Sequence, residues 1–153
     1  MALSSQRLRD ALAPTGTLRA GINLSNFLLV SGQNSDGTPA GVSPDLARHI
    51  AAALDVPCEF VAFETPGQLA DAAADDVWDI GNIAHEPDRA RLIDFSQPYV
   101  LIDAHFLVRT DSAFTSNSDV DQKHVHIATF DRSAYDLWLK DHLRYARLIA
   151  ADS

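Results

Sequence analysis

The sequence predicts an α/β protein built on an open, mostly parallel sheet with helices on both of its faces. Three segments, 17–24, 57–64 and 80–84, have the apolar or alternating pattern of strands. Two helical patterns, 42–54 and 65–74, separate them. Strands that alternate with helices in this way pair in parallel through right-handed crossovers.

Composition restricts the class of partner. Of the 153 residues, 46% are hydrophobic and 22% are charged, which is typical of a globular protein. Lys and Arg number 12 against 21 Asp and Glu, so the net charge of −9 argues against nucleic acid or anionic lipid as a partner. No Gly-rich phosphate loop is present, and no cofactor is expected.

The first sixteen residues lack the apolar core of a secretory leader, because charged residues and Pro14 interrupt it. Residues 4–13 instead predict a short amphipathic helix, with Ser4 or Ser5 as its cap. Either a leader has been removed, or Met1 is the native start and the protein stays inside the cell. The single cysteine, Cys58, is expected to be a buried thiol.

Turn and cap signals separate the elements of the first part of the chain. Asp36-Gly37 predicts a hairpin turn, and Ser43 is expected to cap the helix 42–54. The apolar stripe expected along that helix is Val42, Leu46, Ile50 and Leu54. Thr65 and Gln68 have the spacing of a capping box.

The segment from Trp78 to Tyr99 carries the strongest functional signal. A buried strand at 80–84 is followed by Pro87, which fits the first position of a helix. Arg89 would then lie at the carboxyl end of a strand beside helix N–H groups, where a guanidinium can clamp a carboxylate or a phosphate. The alternative is that Arg89 is a surface helix residue paired with an acidic neighbour.

A strand followed by P-x-R at 87–89 and DFS-x-PY at 94–99 resembles the amino-acid-binding family 3 of periplasmic solute-binding proteins, which have the type II fold. The resemblance runs from about residue 17 to residue 153. It implies that a small carboxylate-bearing solute, most simply an amino acid, binds in a cleft between two lobes. The protein would be the substrate-binding component of an ABC-type transporter, with its permease as a partner. The family resemblance implies a periplasmic location if a leader was removed, and Met1 as the native start implies a cytoplasmic one.

The resemblance also implies residue roles. Arg89 would grip the ligand carboxylate, and Ser133, at the start of a helix that runs to His142, would bind it from the opposite lobe. Phe27 would stack on the ligand; the alternative is that it fills the core of the first lobe. For Ser133 the alternative is that it only caps the helix. Ala84 stands where relatives often have Ser or Thr and offers only its backbone N–H. The predicted ligand-binding set is Arg89, Ser133, Phe27, Asn26, Asn82 and Ala84.

Two other functions remain open at this stage. Some relatives of this fold are dehydratases, and His85 and Glu86 would be the residues to act on a bound acid; the third reading is a ligand-sensing module. We expect no enzyme, no catalytic residue and no metal site, since His124-x-His126 lacks a third ligand at a suitable spacing.

The predicted domains are a helical arm at 1–15, a first α/β lobe at 16–110 that ends in a hinge strand at 103–110, and a partial second lobe at 111–153. One strand, one helix and a short run bury too little apolar surface to fold alone. A homo-oligomer is therefore expected, most simply a homodimer that packs its incomplete lobes together or exchanges them near Thr110. The alternative is a second lobe that is truncated in this sequence.

Overall fold

The computed structural model describes residues 5–151, and the chain divides into two units, Met1–Ala84 and His85–Ser153. The predicted cap Ser4 lies outside the described residues. The helices are α1 (Ser5–Leu12), α2 (Val42–Leu54), α3 (Pro66–Asp71), α4 (Asn117–Val120) and α5 (Ala134–His142). The strands are β1 (Leu18–Asn23), β2 (Gly32–Gln33), β3 (Pro39–Ala40), β4 (Cys58–Phe63), β5 (Ile80–Gly81), β6 (His126–Phe130) and β7 (Arg147–Ala151).

The main sheet of the first unit is parallel and has the order β4-β1-β5. Strand β1 is central and pairs with β4 along its whole length, from Leu18 opposite Cys58 to Asn23 opposite Phe63. The strand predicted at 80–84 is real but shorter, because only Ile80 and Gly81 enter the ladder. The predicted hairpin turn is also present: β2 and β3 are antiparallel, and Gly37 adopts a φ of 83° between them.

Both faces of this sheet are covered by helices, as predicted. The alternate residues Leu18, Ala20 and Ile22 are buried against α2. On the other face, Gly21 lies beneath Leu69 of α3 and the ring of Trp78. The α/β fold class is therefore confirmed.

Helix α2 has the predicted bounds but a different cap and a different buried face. Gly41 is its N-cap residue, and no side chain caps the helix. Ser43 lies inside the first turn and is buried, so the prediction that it caps α2 is wrong. The buried face includes Ser43, Ala47, Ala51 and Leu54, whereas Val42 is exposed, because small side chains let the helix approach the sheet closely.

An ion pair joins the entry of β1 to the turn before β5. Asp79 Oδ2 accepts the backbone N–H of Arg19 at 2.7 Å, and Asp79 Oδ1 accepts Arg19 Nη2 at 2.6 Å. Asp76 contacts the same guanidinium at 3.1 Å. The hydrogen bonds that Arg19 donates to Asp79 and then to Asp76 hold the pKa of Arg19 well above its ordinary value.

The second unit contains a two-stranded parallel sheet, β6 with β7, and helix α5. Its core consists of Val125, Ile127 and Leu139, with Leu143 and Leu148 packed against it. Among the apolar residues of α5 and β7, Leu139 is buried, whereas Trp138 and Ile149 are exposed.

Two predicted elements of this unit are absent from the described residues. The helix expected to begin at Pro87 is a single 3₁₀ turn, Arg89–Arg91. The strand expected at 103–110 is wrong as well, since no ladder includes these residues in the described part of the chain. A strand needs a partner for its backbone groups, and no described strand takes that role. The division into an arm, a first lobe and a partial second lobe stays a prediction.

None of the helices within residues 5–151 combines the length and the apolar character that crossing a membrane requires.

Candidate ligand-binding site

Arg89 lies in the 3₁₀ turn Arg89–Arg91 and is only 6% exposed. Its Nη2 donates a hydrogen bond to the carbonyl oxygen of Arg132 at 3.0 Å. The neighbouring Arg91 is exposed and pairs with Asp88 at 3.4 Å. The alternative that Arg89 is a surface residue is therefore wrong.

Burial and nearby charges set the electrostatics around this guanidinium. Burial lowers the pKa of Arg89, the carboxylate of Glu86 opposes that shift, and the positive charge of Arg132 adds to it. Burial also raises the pKa of Glu86, which is half-buried, while Arg89 and His85 act in the opposite direction. An arginine side chain stays protonated in proteins, so the buried group is a cation.

Ser133 is the N-cap of α5, as predicted, and it is buried. Its Oγ accepts the backbone N–H of Asp136 at 3.2 Å. Asp136 is fully buried, and its Oδ2 accepts the backbone N–H of Arg132 at 2.9 Å and Nζ of Lys140 at 2.6 Å. The hydrogen bond that Lys140 donates to Asp136 raises the pKa of Lys140. The other carboxylate oxygen of Asp136, Oδ1, has no hydrogen-bond partner within residues 5–151.

Arg132 connects the guanidinium of Arg89 to the start of α5. It has a left-handed backbone, with a φ of 54°, and it directly precedes Ser133. Its carbonyl accepts from Arg89, and its N–H donates to Asp136. The structure therefore brings a buried guanidinium to the N-terminus of a nine-residue helix, where a hydroxyl, backbone N–H groups and the helix dipole all favour an anion.

The sequence missed the role of the Arg132 carbonyl and that of Lys140. A backbone contact between residues 43 positions apart leaves no sequence signal. The pairing of Asp136 with Lys140 did leave one, because an acid four residues before a lysine is the favoured order on a helix.

His85 and Glu86 precede the 3₁₀ turn. The ring of His85 packs edge-on against Phe95, with 4.7 Å between centroids. Glu86 lines a small pocket in the second unit, together with Pro87, Asp88, Leu137, Lys140 and Asp141.

The predicted residues of the first unit lie where the parallel strands end. Asn23 ends β1, and its Oδ1 accepts both Oγ and the backbone N–H of Ser25, at 2.8 and 3.2 Å. The carbonyl of Asn26 accepts the backbone N–H of Val30 at 2.8 Å and so closes the following turn. Phe27 is 80% exposed, so the alternative that it fills the core is wrong.

Asn82 directly follows β5, at the same edge of the sheet. Its Nδ2 donates to Oγ of Ser43 at 2.5 Å, which joins the end of β5 to the first turn of α2. Ala84, two residues later, is exposed. The carboxyl edge of an open parallel sheet is where such folds bind ligands.

Within the described part of the chain, no group of three or more His, Cys, Asp or Glu side chains is arranged to hold a metal ion. His124 and His126 are both exposed.

Several solved structures resemble the chain. An ancestral amino-acid-binding protein, described as a precursor of cyclohexadienyl dehydratase, is 26% identical and superposes with a TM-score of 0.75, covering 94% of this chain and 64% of that protein. A binding component of an ABC transporter from Wolinella succinogenes DSM 1740, complexed with lysine, is 22% identical with a TM-score of 0.74, covering 90% of this chain and 60% of that one.

An amino acid ABC transporter substrate-binding protein from Streptococcus pneumoniae Canada MDR_19A, bound to L-arginine, is 22% identical with a TM-score of 0.72, covering 92% and 61% of the two chains. This chain therefore spans less than two thirds of the length of these proteins. Comparison with curated protein sequences gave no match.

The model of one protein family, bacterial extracellular solute-binding proteins, family 3, matches residues 19–142. That range includes all of β1 except Leu18, the other strands of the main sheet, Arg89 and the whole of α5. The fold of the solved structures agrees with it, since amino-acid-binding proteins of type II architecture superpose on most of the chain. The chain therefore belongs to family 3 of the bacterial extracellular solute-binding proteins.

Proposed function

We propose that this protein binds a small carboxylate-bearing solute, most simply an amino acid, as the substrate-binding component of an ABC-type transporter. The observation that carries the proposal is the buried guanidinium of Arg89, 3.0 Å from the carbonyl of Arg132 and next to the N-terminus of α5. Family membership and the amino-acid-binding relatives support the same reading. A periplasmic or extracellular location and a permease partner belong to this proposal.

In the proposed complex the ligand carboxylate accepts hydrogen bonds from Arg89 and from Oγ of Ser133. Arginine suits this role because its planar group can donate two parallel bonds to a carboxylate. Phe27, Asn26, Asn82 and the backbone N–H of Ala84 stay predicted ligand contacts.

Lysine and arginine are the first ligands to try, because proteins of similar fold are described as complexed with lysine and bound to L-arginine. The net charge of −9 favours the approach of a cationic solute, since a negative surface potential raises its local concentration. Neutral amino acids and simple carboxylic acids complete the set.

The test starts with a thermal-shift screen of these compounds on the full 153-residue chain. A ligand that binds only the folded state raises the melting temperature by mass action. Calorimetry then compares the parent with Arg89→Ala and Arg89→Lys. We expect Arg89→Ala to lose about 2–4 kcal/mol of binding free energy, and Arg89→Lys to lose much of it, because a lysine cannot form the bidentate pair.

Arg91→Ala is the matched control, since Arg91 lies in the same 3₁₀ turn but is exposed. It should bind the ligand as the parent does. Circular dichroism must show that Arg89→Ala is folded, because its guanidinium also bonds to Arg132. A folded Arg89→Ala that binds within about threefold of the parent would show that the carboxylate assignment is wrong.

We further propose that the bound solute is released unchanged. A dehydratase needs an acid or base within hydrogen-bond reach of the reacting atom. The family relatives include a dehydratase precursor, so this alternative has a direct test. Mass spectrometry after incubation should recover the solute intact; a product that His85→Ala or Glu86→Gln abolishes would favour the enzyme.

A further inference from the structure

The side chain of Asp136 contacts the backbone outside its own helix. Asp136 is the third residue of α5, and a residue at that position commonly accepts the N–H of the cap residue, here Ser133. Oδ2 of Asp136 instead accepts the N–H of Arg132, the residue before the cap, at 2.9 Å. The carboxylate therefore reaches one residue farther back than helix capping requires.

Arg132 lies in a tight turn between β6 and α5. The N–H of Ser133 donates to the carbonyl of Phe130 at 3.1 Å, which closes the turn. A positive φ at this position of a turn favours glycine or asparagine, whereas the chain has an arginine with a φ of 54°. A residue keeps such a strained conformation only where its surroundings hold it.

Two hydrogen bonds hold the peptide groups on either side of the Arg132 Cα atom. The first group carries the N–H that Asp136 accepts, and the second carries the N–H of Ser133. Because a peptide group is planar and trans, its N–H and its C=O point in opposite directions. The second group therefore also sets the direction of the Arg132 carbonyl, and this carbonyl accepts Nη2 of Arg89 at 3.0 Å.

A guanidinium that clamps a carboxylate needs a fixed orientation. Two parallel N–H bonds to the carboxylate require the plane of the group to face it, and an arginine side chain has several rotatable bonds. The bond from Nη2 of Arg89 to the Arg132 carbonyl restricts rotation of this plane. The direction of that carbonyl thus affects how the remaining donors of Arg89 face a bound anion.

We propose that Asp136 is a positioning residue of the solute site, which acts on Arg89 through the backbone of Arg132. Its carboxylate holds the first peptide group of the turn, so the left-handed conformation of Arg132 persists and the carbonyl keeps its direction. Without the carboxylate, the strained residue relaxes and the carbonyl turns away from Arg89. The inference rests on the proposed function, because it assigns a role in the same site.

Lys140 compensates the charge that this role requires. Asp136 is fully buried, and a buried carboxylate is costly unless it is paired. Nζ of Lys140 donates to the same oxygen, Oδ2, at 2.6 Å. The ammonium group also offsets a negative charge that would otherwise oppose a bound carboxylate.

Nuclear magnetic resonance of the nitrogen-labelled arginine side chains tests the coupling without any solute. The variant Arg89→Lys identifies the Arg89 signal by its loss. In the parent, the Arg89 guanidinium should rotate at least tenfold more slowly than that of Arg91, which is exposed. Asp136→Ala should speed the rotation of Arg89 at least tenfold, because the Arg132 carbonyl no longer holds it.

Asp121→Ala is the matched control. Asp121 also accepts backbone N–H groups, those of residues 144–146, beyond the C-terminal end of α5. This variant should change the rotation of Arg89 less than about twofold, although it too removes hydrogen bonds to the backbone. An Arg89 rotation rate that stays the same in Asp136→Ala, or that changes equally in both variants, would overturn the inference.

Calorimetry with two probes separates positioning from a general loss of structure. The probes are L-arginine and agmatine, which is arginine without its carboxylate. Asp136→Ala should bind L-arginine at least tenfold more weakly than the parent does, whereas its affinity for agmatine should change less than about twofold. Equal losses for the two probes would show that Asp136 is merely structural.

The parent chain decides the matter if Asp136→Ala does not fold. The N–H of Arg132 donates to a fully buried carboxylate, so it should exchange with solvent at least a hundredfold more slowly than an exposed amide. Exchange at the rate of an exposed amide would overturn the inference. Asp136→Asn should keep most of this protection, because an amide oxygen can accept the same N–H.

Failure of this inference and failure of the proposed function give different results. A rotation rate of Arg89 that does not respond to Asp136→Ala removes the positioning role and leaves solute binding by Arg89 untouched. A folded Arg89→Ala that keeps its affinity for the solute removes the proposed function. The rotation and exchange measurements need no solute, so they decide the coupling of Asp136 to Arg89 in either case.

Discussion

Replacing Gly21 by alanine should destabilise the first unit, although the change adds a single carbon atom. Gly21 belongs to β1, on the face of the sheet that Leu69 of α3 covers. A Cβ atom there would be 2.5 Å from Cδ1 of Leu69 and 3.2 Å from the ring of Trp78. Leu69 is fully buried, and the indole N–H of Trp78 donates to its carbonyl at 3.1 Å, so neither side chain can move away easily.

The expected loss is about 1–3 kcal/mol of unfolding free energy, the usual cost of an extra methyl group in a packed core. Gly81 provides a matched control. It pairs with Gly21 in the neighbouring strand, but a Cβ atom there would be 3.5 Å from Trp78, which is an ordinary contact. Gly81→Ala should therefore change the unfolding free energy far less than Gly21→Ala.

Urea unfolding followed by tryptophan fluorescence measures both variants. The chain has two tryptophans, so a Trp138→Phe background leaves Trp78 as the reporter of the first unit. With a slope of about 1 kcal/mol per M for a unit of this size, Gly21→Ala should lower the midpoint by about 1 M or more. Valine has no Cδ atom. Gly21→Ala should therefore cost less unfolding free energy in a Leu69→Val background than it does in the parent.

The steric argument would be refuted if Gly21→Ala and Gly81→Ala unfolded within about 0.5 kcal/mol of each other, the scale of an ordinary surface change. A double-mutant cycle without coupling between positions 21 and 69 would refute it as well.

Three further predictions concern single side chains. Ser133→Ala removes the hydroxyl that accepts the N–H of Asp136, so it should lower the unfolding free energy in urea by about 1 kcal/mol. The same variant should weaken solute binding in calorimetry. Ser133→Thr should keep most of the stability, because threonine can also cap a helix. Asp121 accepts the backbone N–H groups of Ala146 and of the two residues before it, and these hydrogen bonds lower its pKa below the ordinary 3.8. The stabilisation by the ionised carboxylate is therefore present above about pH 4 and is lost as the pH falls. In Asp121→Asn, the unfolding free energy should depend less on pH in this acid range. Burial raises the pKa of Cys58, so at pH 8 its thiol should react with an aromatic disulfide reagent more slowly in the native protein than in urea.

The sequence was most informative where a local pattern determines the element. Ser133 predicted both the start of α5 and its cap, because a capping interaction involves residues only three positions apart. The bounds of α2 followed from its apolar spacing and the residues at its ends. The parallel order of the first sheet followed from alternating strands and helices.

Predictions that depended on distant partners fared worse. Ser43 was assigned as a cap because serine favours that position, but Gly41 has a φ of 127° and takes the position, and Ser43 instead bonds to Asn82. The segment at 103–110 has a strand sequence and lacks a described strand to pair with. Propensity cannot reveal either outcome, because both depend on contacts far along the chain.

The candidate site was predicted in the same uneven way. The position of Arg89 after β5 was read from sequence, yet its burial and its bond to Arg132 were not, since both depend on the loop before α5. Phe27 had two readings that the sequence could not separate, and its exposure removes the core reading.

The left-handed backbone of Arg132 restricts how this position can vary during evolution or in a mutant library. A non-glycine residue in that region carries a strain of about 1–2 kcal/mol, so glycine and asparagine should be enriched there among functional variants. Proline should be absent for two reasons: its ring forbids a positive φ, and it lacks the N–H that donates to Asp136. β-branched residues should be depleted by strain alone. A selection for solute binding would therefore show a substitution profile at position 132 that reflects its backbone conformation.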